Sequence, residues 1–365
     1  MTDPAKTEYA PRRVSPPGDT LAETIEELGM TQADLARRMG RPKKTINEIV
    51  RGKAAILPET AFQLENVLGV PAAFWLARET AYRTSLARSV RQSAVEAPDT
   101  VEWAKRFPCK KMADLGWIEK RAKKADYVQG LFQFFRVASV QGWEATWNRP
   151  EVAFRRSLTK DGNWYAVSAW LRRGEIEAAQ QKTASYDAGN LRAALEKCRK
   201  LTTATPEVFC PALQSECASA GVVVLFVPEL PGASVSGAAR WLTPQRALIQ
   251  LSLRFKTDDQ LWFSFFHEAG HVLLHPRKGI FVDDGYGTST QEKEADAFAS
   301  NMLIPDDAFE DFSRVRPFST HRVAAFATEQ NVAPGIVVGR LQHDRLIPFS
   351  QLNGLKRKLK WAESE

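Results

Sequence analysis

The stretch that most constrains this chain is Phe265-Phe266-His267-Glu268-Ala269-Gly270-His271-Val272-Leu273-Leu274-His275. Residues four apart on an α-helix lie one turn above each other on the same face, so His267 and His271 can offer two imidazole nitrogens to one Zn²⁺. Glu268 sits beside the first of them, where a carboxylate can take the proton of the attacking water in zinc-assisted peptide hydrolysis. Phe265, Phe266, Ala269, Val272, Leu273 and Leu274 are apolar, so the helix is expected to be buried and its polar side chains to need partners. The chain holds five histidines in 365 residues and three fall in this segment, which favours a metal site over a helix carrying histidines by chance.

A zinc site needs a third protein ligand. His275 is the tempting one, but it lies eight residues after His267. That is about 12 Å of helix, whereas ligands of one zinc all lie about 2 Å from it. Pro276 ends the helix, so His275 is expected to cap it or to hydrogen-bond nearby. Downstream, Glu292 and Asp296 are again four apart, on a helix whose apolar face is Ala295, Phe298, Ala299 and Met302. Glu292 is expected as the third ligand, and Asp296 as the acceptor of the free ring N–H of a ligating histidine. Glu294, about 160° away around the helix, is the alternative ligand and otherwise a solvated charge. Tyr286, His321 and His343 are candidates for steadying the oxyanion.

The N-terminal part reads differently. Residues 1–18 contain Pro4, Pro11, Pro16 and Pro17 with few large apolar residues, which predicts a flexible arm. Four short helices follow, at Thr20 to Leu28, Gln32 to Met39, Lys43 to Val50 and Pro58 to Leu68. Thr31 is a good N-cap, and Gly40-Arg41-Pro42 makes a tight turn into the third helix, the arrangement of a helix-turn-helix. Leu35, Ala36, Met39, Ile46, Ile49, Val50, Leu64 and Leu68 recur at helical spacing as its core. Lys43, Lys44, Thr45, Asn47 and Arg51 are left facing outward, with Lys53 just beyond. Lysine, threonine and asparagine there can reach base edges, while Arg51 and Lys53 suit phosphates. The helix Pro71 to Thr80 extends the module as core, as dimer contact or as both.

Between these parts, residues 81–205 read as mostly helical. Lys105 to Lys124 carries eight basic and two acidic residues, a surplus of six against seven for the whole chain. Such a run is expected as a solvated face; the alternative is nucleic-acid contact through the interleaved Trp103, Phe107 and Trp117. Near the end, Val222 to Val227, Ala238 to Leu242 and Ala247 to Leu253 read as strands, the last half-buried by its alternation. Asp283 to Thr288 is expected as a loop over the expected cleft, and Lys356 to Lys360 as a helical or frayed basic tail. No apolar run reaches membrane length, and Cys109, Cys198, Cys210 and Cys217 form no Cys-x-x-Cys pair. A soluble cytoplasmic protein with reduced thiols and no membrane partner is expected.

The motif His267 to His271, Glu292 to Asp296 with Phe298-Ala299, Leu303-Ile304-Pro305 and Ala333 to Leu341 together resemble the ImmA/IrrE family of bacterial metallopeptidases. The resemblance covers residues 206–350 and implies a zincin with two histidines and a glutamate on Zn²⁺, in which the strand before the metal helix often lies along the cleft and an exposed edge there would pair with extended substrate. It further implies protein substrates such as repressors, phage proteins or toxin-antitoxin partners, with self-cleavage also open. Met30 to Ala36, Lys44 to Ile49 and Arg51-Gly52-Lys53 resemble the HigA-like branch of the XRE helix-turn-helix proteins. That resemblance implies a repressor or antitoxin that binds an inverted-repeat operator as a homodimer through residues 19–80.

The expected architecture is multidomain: a flexible arm (1–18), an all-α helix-turn-helix domain (19–80), a helical basic middle region (81–205), an α+β zincin-like metallopeptidase domain (206–350) and a basic tail (351–365). The expected function is a DNA-binding regulatory zinc endopeptidase that hydrolyses peptide bonds in a regulatory protein. The alternative is a non-enzymatic repressor or antitoxin whose peptidase-like part only senses or binds a partner.

Overall fold

The computed structural model describes residues 14–123, 126–147, 163–277, 280–283 and 289–361. Most of the expected arm, Lys124 of the basic run, and residues 284–288 with Tyr286 lie outside the described residues. The chain divides into two compact units between Thr100 and Val101. No helix among the described residues is long and apolar enough to cross a membrane.

The first unit is all helical: α1 (Pro17–Glu27), α2 (Gln32–Met39), α3 (Lys43–Val50), α4 (Pro58–Leu68) and α5 (Ala72–Glu96). Thr31 caps α2 through a reciprocal box with Asp34, and Gly40 ends that helix in the left-handed conformation, φ 64°. Leu21, Leu35, Ile46, Ile49, Leu64 and Trp75 are buried together as its core. Gly18 is required by close approach, because a Cβ there would lie 2.2 Å from the carbonyl oxygen of Val50. Trp75 belongs to the core, whereas Phe74 stays largely exposed. The helix expected to stop at Thr80 continues unbroken to Glu96, so the expected boundary at 80–81 falls inside α5.

α6 (Pro98–Lys105) crosses the boundary between the two units, and in the second unit α7 (Cys109–Asp114), α8 (Tyr127–Phe135), α9 (Val140–Trp147) and α10 (Trp164–Ala178) precede the sheet. Trp103, Phe107, Phe132, Phe135, Trp143 and Tyr165 form one aromatic cluster with ring centroids 4.9 to 6.0 Å apart. Trp117 stacks on Phe134. These aromatics are core, so base stacking by Trp103, Phe107 and Trp117 is corrected: a buried ring has no face left for a base. Their basic neighbours are partly neutralised, as in the pairs Lys105–Glu102 and Lys120–Asp114.

α11 (Ala188–Lys200) and α12 (Pro206–Ser219) lead into a four-stranded sheet of order β1-β3-β2-β4, with β1 Val222–Phe226, β2 Gly237–Thr243, β3 Arg246–Leu251 and β4 Ile280–Asp283. β3 pairs parallel with β1 and antiparallel with β2. It is therefore an interior strand, and the expectation of an exposed edge there is corrected; its main-chain groups are used on both sides. β4, at the sheet's edge beside β2, was not anticipated. α10 packs on β1 and β3, with Trp170 donating its indole N–H to the carbonyl of Val227 and Gln250 its amide to the carbonyl of Trp170. α10 and α11 thus belong with the sheet rather than to a separate middle region.

The centre of this unit is α13 (Asp258–Leu274), followed by α14 (Thr290–Leu303), α15 (Asp306–Ser313), α16 (Thr320–Glu329) and α17 (Pro334–His343). Its first two residues are buried carboxylates. Asp259 pairs with Lys356 Nζ at 2.6 Å, which also donates to Gln342 Oε1 at 2.7 Å, and Asp258 accepts from the Arg357 backbone N–H. Gly335 and Gly339 make room on α17, since a Cβ at either would come within 2.7 Å of an Asp258 or Asp259 oxygen. The basic tail is accordingly not frayed. Lys358 bridges Thr257, and Leu359 is buried with its N–H on the carbonyl of Lys256. The tail reads as helical or frayed from sequence because the buried anion of Lys356, Asp259, lies 97 residues away.

Removing one partner of a buried ion pair leaves a charge without compensation and costs about 3–5 kcal/mol. Lys356→Met is expected to destabilise this unit by about that amount in urea denaturation followed by tryptophan fluorescence, and Asp259→Asn added to it should recover part of the loss. Unchanged stability in Lys356→Met would contradict the clamp.

Candidate metal centre and DNA-facing helix

α13 and α14 pack closely because Gly270 has no side chain: a Cβ there would lie 3.1 Å from Phe298 Cδ1 and 3.3 Å from Ala295 Cα. Ser289 caps α14 by accepting from the Glu292 N–H at 3.2 Å, which sets that helix's first turn against the histidines. An acidic residue at this position often folds back onto its own cap. Here the Glu292 side chain points across to α13.

Three donor atoms converge as a result. Glu292 Oε2 lies 3.1 Å from His267 Nε2 and 3.5 Å from His271 Nε2, and the two ring nitrogens are 3.0 Å apart. His267 Nδ1 is 2.9 Å from Asp296 Oδ1, so the proton of this imidazole sits on Nδ1 and Nε2 presents a lone pair. His271 Nδ1 is likewise engaged, 2.9 Å from His275 Nδ1. Two lone pairs and a carboxylate facing one point suit a cation. Ligands about 2.0–2.1 Å from a tetrahedral zinc sit roughly 3.3 Å from one another, the spacing of these atoms, and the His₂Glu set matches zinc chemistry.

Burial acts to raise the Glu292 pKa, but hydrogen bonds from the His267 and His271 rings and their charges outweigh it and lower it to about 2, so the carboxylate is anionic; a metal would take the place of the Nε2 protons that those bonds use. Burial moves His271 the other way, below the usual histidine range, with His267 adding to the effect against Glu292. An anionic glutamate and a neutral imidazole are the forms that bind a metal. Glu294, expected as a solvated charge or alternative ligand, instead meets His275 Nε2 at 3.1 Å. Sequence reasoning missed that contact; the signal was the repeat of the four-residue spacing from His271 to His275.

Glu268 follows His267 on α13 and is fully buried. The start of β2 makes room for it, since a Cβ on Gly237 would lie 2.7 Å from Glu268 Oε1. Beside His267 and Glu292 opens a cleft of about 800 Å³, whose lining includes Phe255, Phe263, Ile336, His343 and Phe349. Of the oxyanion candidates, His343 lines this cleft, with Nδ1 3.0 Å from Asp344 Oδ1, and His321 is exposed on α16 away from the lining. Phe281 of β4 stacks on His271, centroids 4.4 Å apart and planes within 14°.

In the first unit, Lys43, Lys44, Arg51 and Lys53 are exposed, while Thr45 and Asn47 are half-buried. The buried Ile46 and Ile49 fix which face of α3 points outward. Asn47 Nδ2 donates to Gln32 Oε1 at 3.3 Å, so the first residue of α2 shares that polar face, a neighbour not singled out from sequence. Lys44 also approaches Glu48 at 3.9 Å.

Comparison with known proteins finds two families along the chain. The helix-turn-helix family matches residues 21–75, and the IrrE N-terminal-like domain family matches residues 217–341. The uncharacterized HTH-type transcriptional regulator YddM of Escherichia coli K12 is 35% identical over 66 residues, 18% of this chain and 70% of YddM. Virulence-associated protein I of Dichelobacter nodosus is 35% identical over 78 residues, 21% of this chain and 72% of that protein. Among solved structures, an addiction module antidote protein of a HigA family from Coxiella burnetii is 29% identical, covering 24% of this chain and 95% of its own, with a TM-score of 0.22.

Loaded and dialysed protein is expected to retain about one zinc per chain by elemental analysis, and His271→Ala and Glu292→Ala each to retain almost none. Full retention by Glu292→Ala would move the third donor elsewhere.

Proposed function

We propose that this chain, which belongs to the helix-turn-helix family of transcriptional regulators and carries an IrrE N-terminal-like domain, is a DNA-binding zinc endopeptidase that cleaves a regulatory protein. The reading is carried by one observation: His267 Nε2, His271 Nε2 and Glu292 Oε2 converge within 3.5 Å, with Glu268 next to His267 on α13 and a cleft opening beside His267 and Glu292. When bound, zinc supplies Lewis acidity to the scissile carbonyl and acidity to the attacking water.

The chain's own residues do the rest. Glu268 takes a proton from the attacking water and delivers it to the leaving amine. Asp296 holds His267 in the tautomer that leaves Nε2 bare. The apolar walls at Phe255, Phe263 and Phe349 seat the substrate and keep bulk water from the reacting carbonyl. His343, oriented by Asp344, is the cleft residue suited to the developing oxyanion. A regulator that merely sensed a partner would have no use for a carboxylate buried at position 268, nor for the space that Gly237 leaves for it.

The first unit supplies the address. Lys43, Lys44, Thr45 and Asn47 on α3 face the major groove, and Arg51 and Lys53 contact phosphates, on an inverted repeat bound by a homodimer.

The test of the enzyme is to incubate the zinc-loaded full chain with lysate of its source organism and map new protein N-termini. Cleavage should appear with wild type and fall by about 10²–10⁴-fold with Glu268→Gln, which still holds zinc. Equal cleavage by Glu268→Gln would remove the general-base assignment. The test of the address is selection of bound duplexes from a random pool. Asn47→Ala should lose about 1–3 kcal/mol of discrimination at one base position, whereas Lys53→Ala should weaken all sequences alike and reduce the salt slope by roughly 0.9. Recovery of no enriched sequence by wild type at low salt would contradict specific binding.

A further inference from the structure

His271 does not stand alone behind the metal centre. His275 Nδ1 lies 2.9 Å from His271 Nδ1, and His275 Nε2 lies 3.1 Å from Glu294 Oε2. Only one placement of protons satisfies both contacts and leaves His271 Nε2 as a metal donor. A bare Nε2 puts the His271 proton on Nδ1, which then donates to His275 Nδ1, and that atom must be bare in turn. The one proton of neutral His275 therefore sits on Nε2, opposite a carboxylate that can only accept. Both nitrogens of His275 are spent in this way, which is why it is not a fourth ligand.

We infer that Glu294 and His275 form a hydrogen-bonded relay that holds His271 in its metal-binding tautomer and ring orientation, as Asp296 does for His267. The inference rests on the zinc reading of the centre. The side chains of His271 and His275 are 1% and 3% exposed, so water has little access to replace either link, while Glu294 closes the relay at the surface with its side chain 54% exposed. The backbone helps. His275 is the C-cap of α13 with extended torsions, φ −108° and ψ 161°, which carries it off the helical path after Leu274. Phe281 completes the setting, stacking on His271 and lying 5.5 Å from the His275 ring. A carboxylate at the end of such a chain makes each imidazole a better acceptor or donor for the next, and so makes His271 Nε2 a stronger base toward a metal.

The experiment measures zinc affinity of the full chain by competition with a chromophoric chelator at one fixed pH, and the visible spectrum of the Co²⁺-loaded protein. His275→Phe keeps a ring of similar shape and removes the acceptor; it should lose about 10–100-fold in zinc affinity and shift the Co²⁺ bands. His275→Asn places an amide oxygen near the position of Nδ1, still able to accept from His271, and should recover most of that loss. Glu294→Ala should weaken zinc less than His275→Phe does, and should also move the Co²⁺ bands. Because Glu294 is exposed, its variant is the one to read should His275→Phe fail to fold, as judged by thermal melting of the zinc-free protein. Wild-type affinity and spectrum in Glu294→Ala and His275→Phe would overturn the relay, as would His275→Asn binding no better than His275→Phe. Absence of zinc binding by wild type is a separate result and would defeat the metal reading itself.

Discussion

The contact on which the C-terminal unit depends is the close approach of α13 and α14 at Gly270. A Cβ there would sit 3.1 Å from Phe298 Cδ1 and 3.3 Å from Ala295 Cα, so the facing residues of α14 would have to give by a few tenths of an ångström. Glu292 and Asp296 reach His267 and His271 only because they stand on a helix packed at that distance. The centre is thus a product of helix packing, built on rigid elements rather than on a loop, and its geometry inherits their precision.

A second constraint follows from burial. α13 runs through the core with Phe265, Phe266, Ala269 and Val272 against the sheet and α17, so each polar group it carries must find a partner inside. At its start, Asp258 and Asp259 find the C-terminal segment; at its middle, His267 finds Asp296; at its end, His275 finds Glu294. The helix is therefore fastened at its start, middle and end by charged or hydrogen-bonding groups drawn from α14 and from Lys356 and Arg357. Such fastening fixes rotation about the helix axis, which apolar contacts alone would leave looser, and rotation is what aims two imidazoles at one point.

What could be read from the sequence was whatever depends on short-range periodicity. The helices of the first unit, the strands near Val222, Ala238 and Ala247, and the pairing of Glu292 and Asp296 on one face all follow from spacings of two or four. Illegible were features set by distant partners. Lys356 reads as one cation among several until Asp259 is placed beside it, 97 residues away in sequence. The edge expected at β3 from the resemblance could not be checked in the sequence, because alternation tells which side chains are buried, not whether both backbone edges are paired. The continuation of α5 past Thr80 lay beyond pattern reading for a related reason: its later turns are mostly exposed and carry no apolar stripe to count. Helix geometry argues against His275 as a ligand, yet its contacts needed the positions of two neighbours that no spacing rule supplies.

Gly237 carries a consequence for the history of such a chain. Its missing side chain is filled by the carboxylate of Glu268, so the two positions share one volume. While a glutamate occupies 268, a side chain at 237 would have to push that carboxylate aside. A descendant that gave up the acid for alanine would leave a void in the core, and the nearest way to fill it would be a methyl group arriving at 237. Retirement of the chemistry would then be written twice, once on the helix and once on the strand.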